Sequence, residues 1–285
     1  MKKFLKLFLK IAVTAVCLWY VSHKIDWAQS FTIIKNSNWL WLLAATVLFI
    51  ASKVVSSLRL NIYFNNINVQ LSQIQNLKLY WLGMFCNLFL PGGIGGDAYK
   101  VILLNRTNNY PVKQLTAAVL LDRISGVVGL GILAVIYYYF VFSGANYSLL
   151  FLYLLPVGLL VYYFFAKKIF PSFIKGFWPT LSLGLAVQGL QVLCAYAIMQ
   201  ALHIAQHQTV YILLFLLSSI VAILPLTIGG LGAREVVFLW GSSTLLHLTN
   251  DPTPVSISIS FYIITLCISF IGVYWVYKPP LRKPA

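Results

Sequence analysis

Long apolar runs alternate with short polar breaks along the 285-residue chain. Six runs approach or exceed the roughly 20 residues that cross a hydrocarbon core; they lie at about 5–22, 39–57, 114–142, 147–166, 179–201 and 255–277. Two further apolar stretches, about 77–106 and 209–247, are each interrupted by a glycine-rich motif. The first interruption runs from Asn87 to Lys100 and holds Pro91, four glycines and Asp97; the second runs from Leu224 to Glu235. A Gly/Pro break at membrane depth exposes backbone N–H and C=O groups that hydrocarbon cannot satisfy. Such a break persists only where protein buries it or a wet cavity adjoins it, as at the transport sites of membrane carriers. The pattern predicts an all-α polytopic membrane protein with about six full transmembrane helices and two broken, re-entrant helical hairpins. It predicts one integral membrane domain over residues 1–285, with no soluble module.

Composition agrees: 60% of residues are hydrophobic and 9% charged, against about 25% charged in a soluble domain. The 20 Lys/Arg against 5 Asp/Glu would suit nucleic acid, but the basic residues cluster at the ends of apolar runs. They read as topology markers and contacts for anionic head groups. Cys17, Cys86, Cys194 and Cys267 lie inside apolar segments and are expected to be free thiols. Residues 1–24 resemble a signal peptide without a small-x-small cleavage pattern, so a retained first span is expected.

Counting loop charges separates two topologies. If each broken stretch were a full crossing, Lys100, Arg106, Lys113, Lys167, Lys168 and Lys175 would fall outside, against the positive-inside rule. If each returns on its own side, these loops lie inside with Lys2, Lys3, Lys6, Lys10, Lys53, Arg59, Lys78 and the tail residues Lys278, Arg282 and Lys283, leaving Lys24 and Lys35 outside. Both termini are then cytoplasmic. The first hairpin enters from the cytoplasm and the second from outside. The two should be inverted copies: Leu90-Pro91-Gly92-Gly93-Ile94-Gly95-Gly96 aligns with Leu224-Pro225-Leu226-Thr227-Ile228-Gly229-Gly230, with five of seven positions identical and Lys100 opposite Arg234.

The candidate chemistry sits at these breaks and in one crossing. Asn87, Pro91, Gly95 and Gly96 shape the first tip, and Pro225, Gly229 and Gly230 the second; all are expected to adjoin substrate. Asp97 suits an N-cap of a half-helix over 97–106, a role compatible with substrate contact. Lys100, one turn on, reads either as a snorkelling residue or as a phosphate contact. Asp122 and Arg123 lie about 12–14 Å inside the third full crossing, where charges pair or line a wet path. They read either as a structural ion pair or as a cationic Arg123 held for an anionic head group. Asp122, Ser125, Gly126, Gly129 and Thr116 form a small-polar face that lets another helix approach. Arg234 and Glu235 follow the second break and point about 100° apart. A crossed pairing, Asp122 with Arg234 and Glu235 with Arg123, is compatible with the sequence. Two half-helix N-termini with Arg123, Arg234 and Lys100 make a site for an anion, most simply a phosphate. His203 and His207 have i,i+4 spacing but no acid or cysteine beside them and read as interfacial polar residues, so no metal is expected. Trp19, Trp39, Trp41, Trp178 and Trp275 sit near span ends, as belt residues do.

Three motifs in this order resemble the family named for the transmembrane region of lysylphosphatidylglycerol synthases. These are the Asn-Pro-Gly-rich segment Asn87–Arg106, the Leu121-Asp122-Arg123 triplet, and Pro225–Glu235 with its Gly-Gly-x-Gly-x-Arg-Glu run. The resemblance implies movement of a lipid across the bacterial cytoplasmic membrane, in the synthases an aminoacylated phosphatidylglycerol. The sequence ends at Ala285 without the soluble aminoacyl-transfer domain, so aminoacyl transfer is not expected, and hopanoid or polyprenyl-linked lipids stay open as cargo. The reading is a lipid translocase holding an anionic head group between the hairpins, with Asp97, Asp122 and Glu235 orienting the cations or carrying protons. No cofactor is expected. With no Walker motif in the sequence, movement would be downhill or ion-coupled. The alternatives are an ion-coupled small-solute carrier, an intramembrane transferase or phosphatase, and a non-catalytic partner of a lipid-modifying glycosyltransferase. Expected partners are anionic membrane lipids, with such an enzyme and a second copy of the chain as further candidates, and no nucleic acid.

Overall fold

The computed structural model describes residues 12, 15–17, 19–23, 27–89, 95–144, 146–223, 232–248 and 251–281. These residues form helices joined by short turns, with no strand among them. After helical residues at 15–17 and 19–23 come α1 (Trp27–Lys35), α2 (Trp39–Asn65), α3 (Gln73–Phe89), α4 (Gly95–Asn108), α5 (Val112–Val141) and α6 (Asn146–Ile169). A 3-10 turn, Pro171–Gly176, leads into α7 (Phe177–Ala201), followed by α8 (Gln208–Ile223), α9 (Ala233–Leu245) and α10 (Thr253–Phe270), which runs on through Tyr277.

Five of these are long and apolar enough to cross a membrane: Trp39–Asn65, Val112–Val141, Ser148–Ile169, Pro171–Ala201 and Thr253–Tyr277. They match five of the six predicted spans, and most of the sixth, 5–22, lies outside the described residues. Helix α6 carries large apolar side chains open to its surroundings, among them Tyr153, Val161 and Phe164, as a lipid-facing helix does. Trp19, Trp39, Trp41 and Trp178 are likewise exposed. The expected end of the second span at residue 57 is corrected: α2 continues to Asn65, because Leu58, Leu60, Ile62, Tyr63 and Phe64 prolong the apolar run past Ser56 and Ser57.

The chain divides into two compact units. The first comprises residues 1–50, 87–95 and 191–270, and the second 51–86, 96–190 and 271–285.

In the second unit, α3 and α4 form a hairpin. Ser72 starts α3 with a reciprocal cap: its Oγ accepts from the Gln75 N–H (3.2 Å) while Gln75 Oε1 accepts from the Ser72 N–H (3.1 Å). Farther along, Lys100 Nζ of α4 lies 4.5 Å from the Tyr80 ring centre on α3, and Gly96 abuts Gly83. The pairs 80 with 100 and 83 with 96 run in opposite directions, so the chain returns along itself. Arms of 17 and 14 residues measure about 25 and 21 Å, each short of a core about 30 Å thick.

The hairpin closes on glycine. A Cβ on Gly96 would collide with the carbonyl oxygen, carbonyl carbon and Cα of Gly83, all backbone and unable to move aside. Gly96→Ala is expected to destabilise by about 1–3 kcal/mol, the usual cost of overpacking, and to lower the thermal unfolding midpoint in detergent. Gly131→Ala, whose Cβ meets nothing within 4 Å among the described residues, should leave the midpoint unchanged.

The rest of the second unit packs around α5. Ser125, Gly126 and Gly129 of the expected small-polar face meet α7, while Thr116 is exposed and Asp122 turns to α2: a Cβ on Gly129 would sit 3.1 Å from the Gly184 carbonyl oxygen, and one on Gly184 3.2 Å from that of Ser125. Gln188 Nε2 donates to the Gly126 carbonyl (3.3 Å). Between apolar helices in lipid, close backbone approach and such hydrogen bonds replace the hydrophobic force that drives packing in water. Asn76 provides another, donating to the Ser57 carbonyl (2.5 Å) from a fully buried position.

In the first unit, α8 and α9 pack side by side, with the Leu214 side chain filling the space a Cβ on Gly241 would take. Their 16 and 13 residues, about 24 and 20 Å, again fall short of a crossing. Val21, Leu239 and Val255 form a small buried core here.

Candidate functional site

The second unit gathers five charged residues. Because Gly96 lets α4 lie directly against α3, Lys100 is buried over Tyr80. One turn earlier, Asp97 faces two cations: its Oδ1 accepts from Lys100 Nζ (3.0 Å) and its Oδ2 from Arg123 Nε of α5. Asp97 therefore bridges two side chains, where the sequence suggested an N-cap. It lies within the first turn of α4, two residues past the helix start at Gly95 and so beyond the position a cap occupies. Lys100, left open between snorkelling and phosphate contact, has no exposed end: 5% of its side chain is accessible, against 26% for Arg123. Arg123 is thus the accessible cation of the trio.

Asp122, the preceding residue, projects to another side of α5 and accepts from Arg59 Nε of α2 at 2.7 Å. This overturns two expectations. Arg59, counted as a loop charge marking topology, is buried within α2 with 5% of its side chain accessible. The crossed pairing of Asp122 with Arg234 and Glu235 with Arg123 is replaced by Asp122 with Arg59 and Asp97 with Arg123. Asp122 lies ten residues into α5, about 15 Å along it, half the thickness of a hydrocarbon core. In this network, among the described residues, three cations share two carboxylates.

The first unit holds the remaining candidates. The backbone turns into α9 at Gly232, whose φ of 80° suits glycine. Glu235 reaches back from the third helical position, its Oε2 accepting from the Gly232 N–H (2.8 Å) and its Oε1 from Ser258 Oγ of α10 (2.8 Å). Glu235 is buried. The expected half-helix start near Leu231 is thus two residues early. Arg234 turns away from Glu235 and stacks on aromatic faces, its guanidinium 5.6 Å from the Phe215 ring centre and 4.8 Å from that of Phe261. Its Nη1 is buried without a hydrogen-bond partner among the described residues.

Of the other predicted site residues, Asn87 is half-buried near the end of α3 and Gly95 opens α4. Pro91, Pro225, Gly229 and Gly230 lie outside the described residues. His203 and His207 flank the turn between α7 and α8, both with left-handed backbone (φ 59° and 57°), so the helical spacing that suggested a ligand pair does not apply. Sequence reasoning missed Arg59, Tyr80 and Ser258. The signal for Arg59 was the apolar run continuing past it, which placed it inside a span; nothing in the sequence marked Tyr80 or Ser258.

The sequence profile described as "Lysylphosphatidylglycerol synthase TM region" matches residues 7–276. The chain belongs to this family. Two archaeal relatives, each named only a UPF0104 membrane protein, match parts of it. The protein of Pyrococcus horikoshii is 24% identical over 130 residues, covering 45% of this chain and 38% of its own. That of Archaeoglobus fulgidus is 28% identical over 95 residues, covering 33% of this chain and 28% of its own. The matches thus span well under half the length of either relative. No solved structure matches the chain. Membership in the synthase transmembrane-region family, with five membrane-long helices, makes this a multi-pass membrane protein of that type.

Proposed function

We propose that this protein is a lipid translocase that carries a phosphate-bearing lipid across the bacterial cytoplasmic membrane, with its acyl or prenyl chains remaining in the bilayer. The observation that carries the reading is the shared Asp97 carboxylate. One acid is divided between Lys100 and Arg123 beside a second, separate Arg59–Asp122 pair, so among the described residues this network sets three cations against two carboxylates. Charges within membrane-spanning helices are costly and are retained where they bind or move something. Arg123, the more accessible cation, has its Nε engaged by Asp97, which orients the planar fork that matches phosphate oxygens. Arg234 offers the same chemistry in the first unit, held by aromatic faces with one nitrogen unbonded among the described residues.

The short hairpin arms support the same reading, because a broken helix at membrane depth is stable beside a polar path and unstable against lipid. The repeated Leu-Pro-x-x-Ile-Gly-Gly of the two breaks is consistent with inverted halves, and the loop charges with cytoplasmic termini. Native mass spectrometry of the purified protein is expected to detect a co-bound phospholipid or prenyl phosphate that is lost in Arg123→Ala. Retention of the same lipid by that variant would remove Arg123 from the site.

A further inference from the structure

Among the described residues, Glu235 is the buried carboxylate that no cation bonds. Asp97 is shared by Lys100 and Arg123, and Asp122 is held by Arg59. Asp251 lies in the turn before α10, where it accepts from the Thr253 N–H. Glu235 is buried and takes its two bonds from neutral donors, the Gly232 N–H and the Ser258 hydroxyl. Its neighbour Arg234 is turned to Phe215 and Phe261, and residues 224–231, which precede the helix, contain no Lys, Arg or His.

Among the described residues, the elements around Glu235 supply no second charge. α8 has no acidic or basic residue in its sequence. α10 presents Ser258 and Tyr262, and the helical segment at 15–17 presents Cys17. On its own helix, Arg234 is the charged group within electrostatic range. The pair Arg234 and Glu235 is therefore neutral in sum and unbonded to each other.

We propose that Glu235 is the proton-carrying residue of the translocase, taking up one proton each time an anionic phosphodiester engages Arg234. This rests on the lipid-translocase reading above. A phosphodiester beside Arg234 would leave the buried site one negative charge in excess, a costly state in low dielectric. A proton on Glu235 restores neutrality, and the protonated carboxyl keeps an oxygen to accept from Gly232 or Ser258. One phosphodiester, charge minus one, then travels with one proton. The step is electroneutral: no bond other than O–H forms or breaks, and the proton leaves Glu235 when the lipid is released.

The test uses the full chain reconstituted in phosphatidylcholine vesicles with a trace of fluorescently labelled phosphatidylglycerol. One-to-one coupling predicts that a gradient of one pH unit drives the label to a leaflet ratio of about 10, the thermodynamic equivalent of that gradient. A potassium diffusion potential should leave the ratio unchanged. In Glu235→Gln the ratio should fall to that without a gradient. Ser258→Ala, which removes a donor to the ionised carboxylate, should move the midpoint of the pH–rate profile to higher pH. That shift is the deciding readout if the Gln variant is inactive. Label movement in the wild type that ignores the pH gradient would overturn the proton-coupling inference while leaving the translocase reading intact. A full gradient response in Glu235→Gln, or an unmoved midpoint in Ser258→Ala when the Gln variant is inactive, would overturn the assignment to Glu235. Absence of label movement in the wild type would overturn both readings.

Discussion

Arg123→Ala is expected to slow movement of phosphatidylglycerol between the leaflets of reconstituted vesicles by about 100-fold. A charged hydrogen bond is worth about 1.5–3 kcal/mol, and each 1.4 kcal/mol is a factor of ten, so loss of one good guanidinium–phosphate contact accounts for that drop. The fold should survive, because Asp97 keeps its bond to Lys100 at 3.0 Å and Arg123 is the most exposed of the three paired cations. Arg123→Lys should fall between the two, retaining charge without the planar fork. Thermal unfolding in detergent separates the explanations: a binding role predicts a wild-type midpoint with a lost rate, and a structural role predicts that both fall together.

Asp122→Ala should behave in the opposite way. Arg59 would be left buried in the second unit with its Nε bond at 2.7 Å gone, and its Nη1 already lacks a partner among the described residues. Breaking a buried pair from one side costs about 3–5 kcal/mol, whereas replacing both partners with apolar residues of similar volume is often neutral. The Asp122→Leu, Arg59→Met double variant should therefore unfold at a higher temperature than either single variant. A double variant less stable than both singles would show that the pair contributes more than it costs to bury.

The contrast between these two arginines shows what was legible in the sequence. Apolar run length alone located five crossings, because a span is a local property of about 20 residues. The short paired helices were legible for a related reason: glycine and proline mark where a helix must break, and the breaks themselves, at 90–94 and 224–231, lie outside the described residues. That Asp122 and Arg123 are charges inside a span followed from apolar run length. Which partners they find did not, because Arg59 is 63 residues from Asp122 and Asp97 is 26 from Arg123, and pairing over such distances is set by packing. Asp97 misled for a physical reason. Its place at the start of a helix suits a cap, and only three-dimensional proximity reveals two cations, one on each of its carboxylate oxygens. The end of α2 was misplaced because Ser56, Ser57 and Arg59 look like an interface in one dimension. In the fold these three residues are buried.

The central claim is that this protein moves a lipid by its phosphate, and leaflet exchange measured by chemical quenching tests it most directly. Full-length protein is placed in vesicles with labelled phosphatidylglycerol or, in parallel, labelled diacylglycerol-based lipid lacking phosphate. Dithionite then reports how much label reaches the outer leaflet. The account predicts protein-dependent exchange of the phosphate-bearing label, slowed by Arg123→Ala and competed by unlabelled phosphatidylglycerol. Exchange of the phosphate-bearing label no faster than in protein-free vesicles would contradict it.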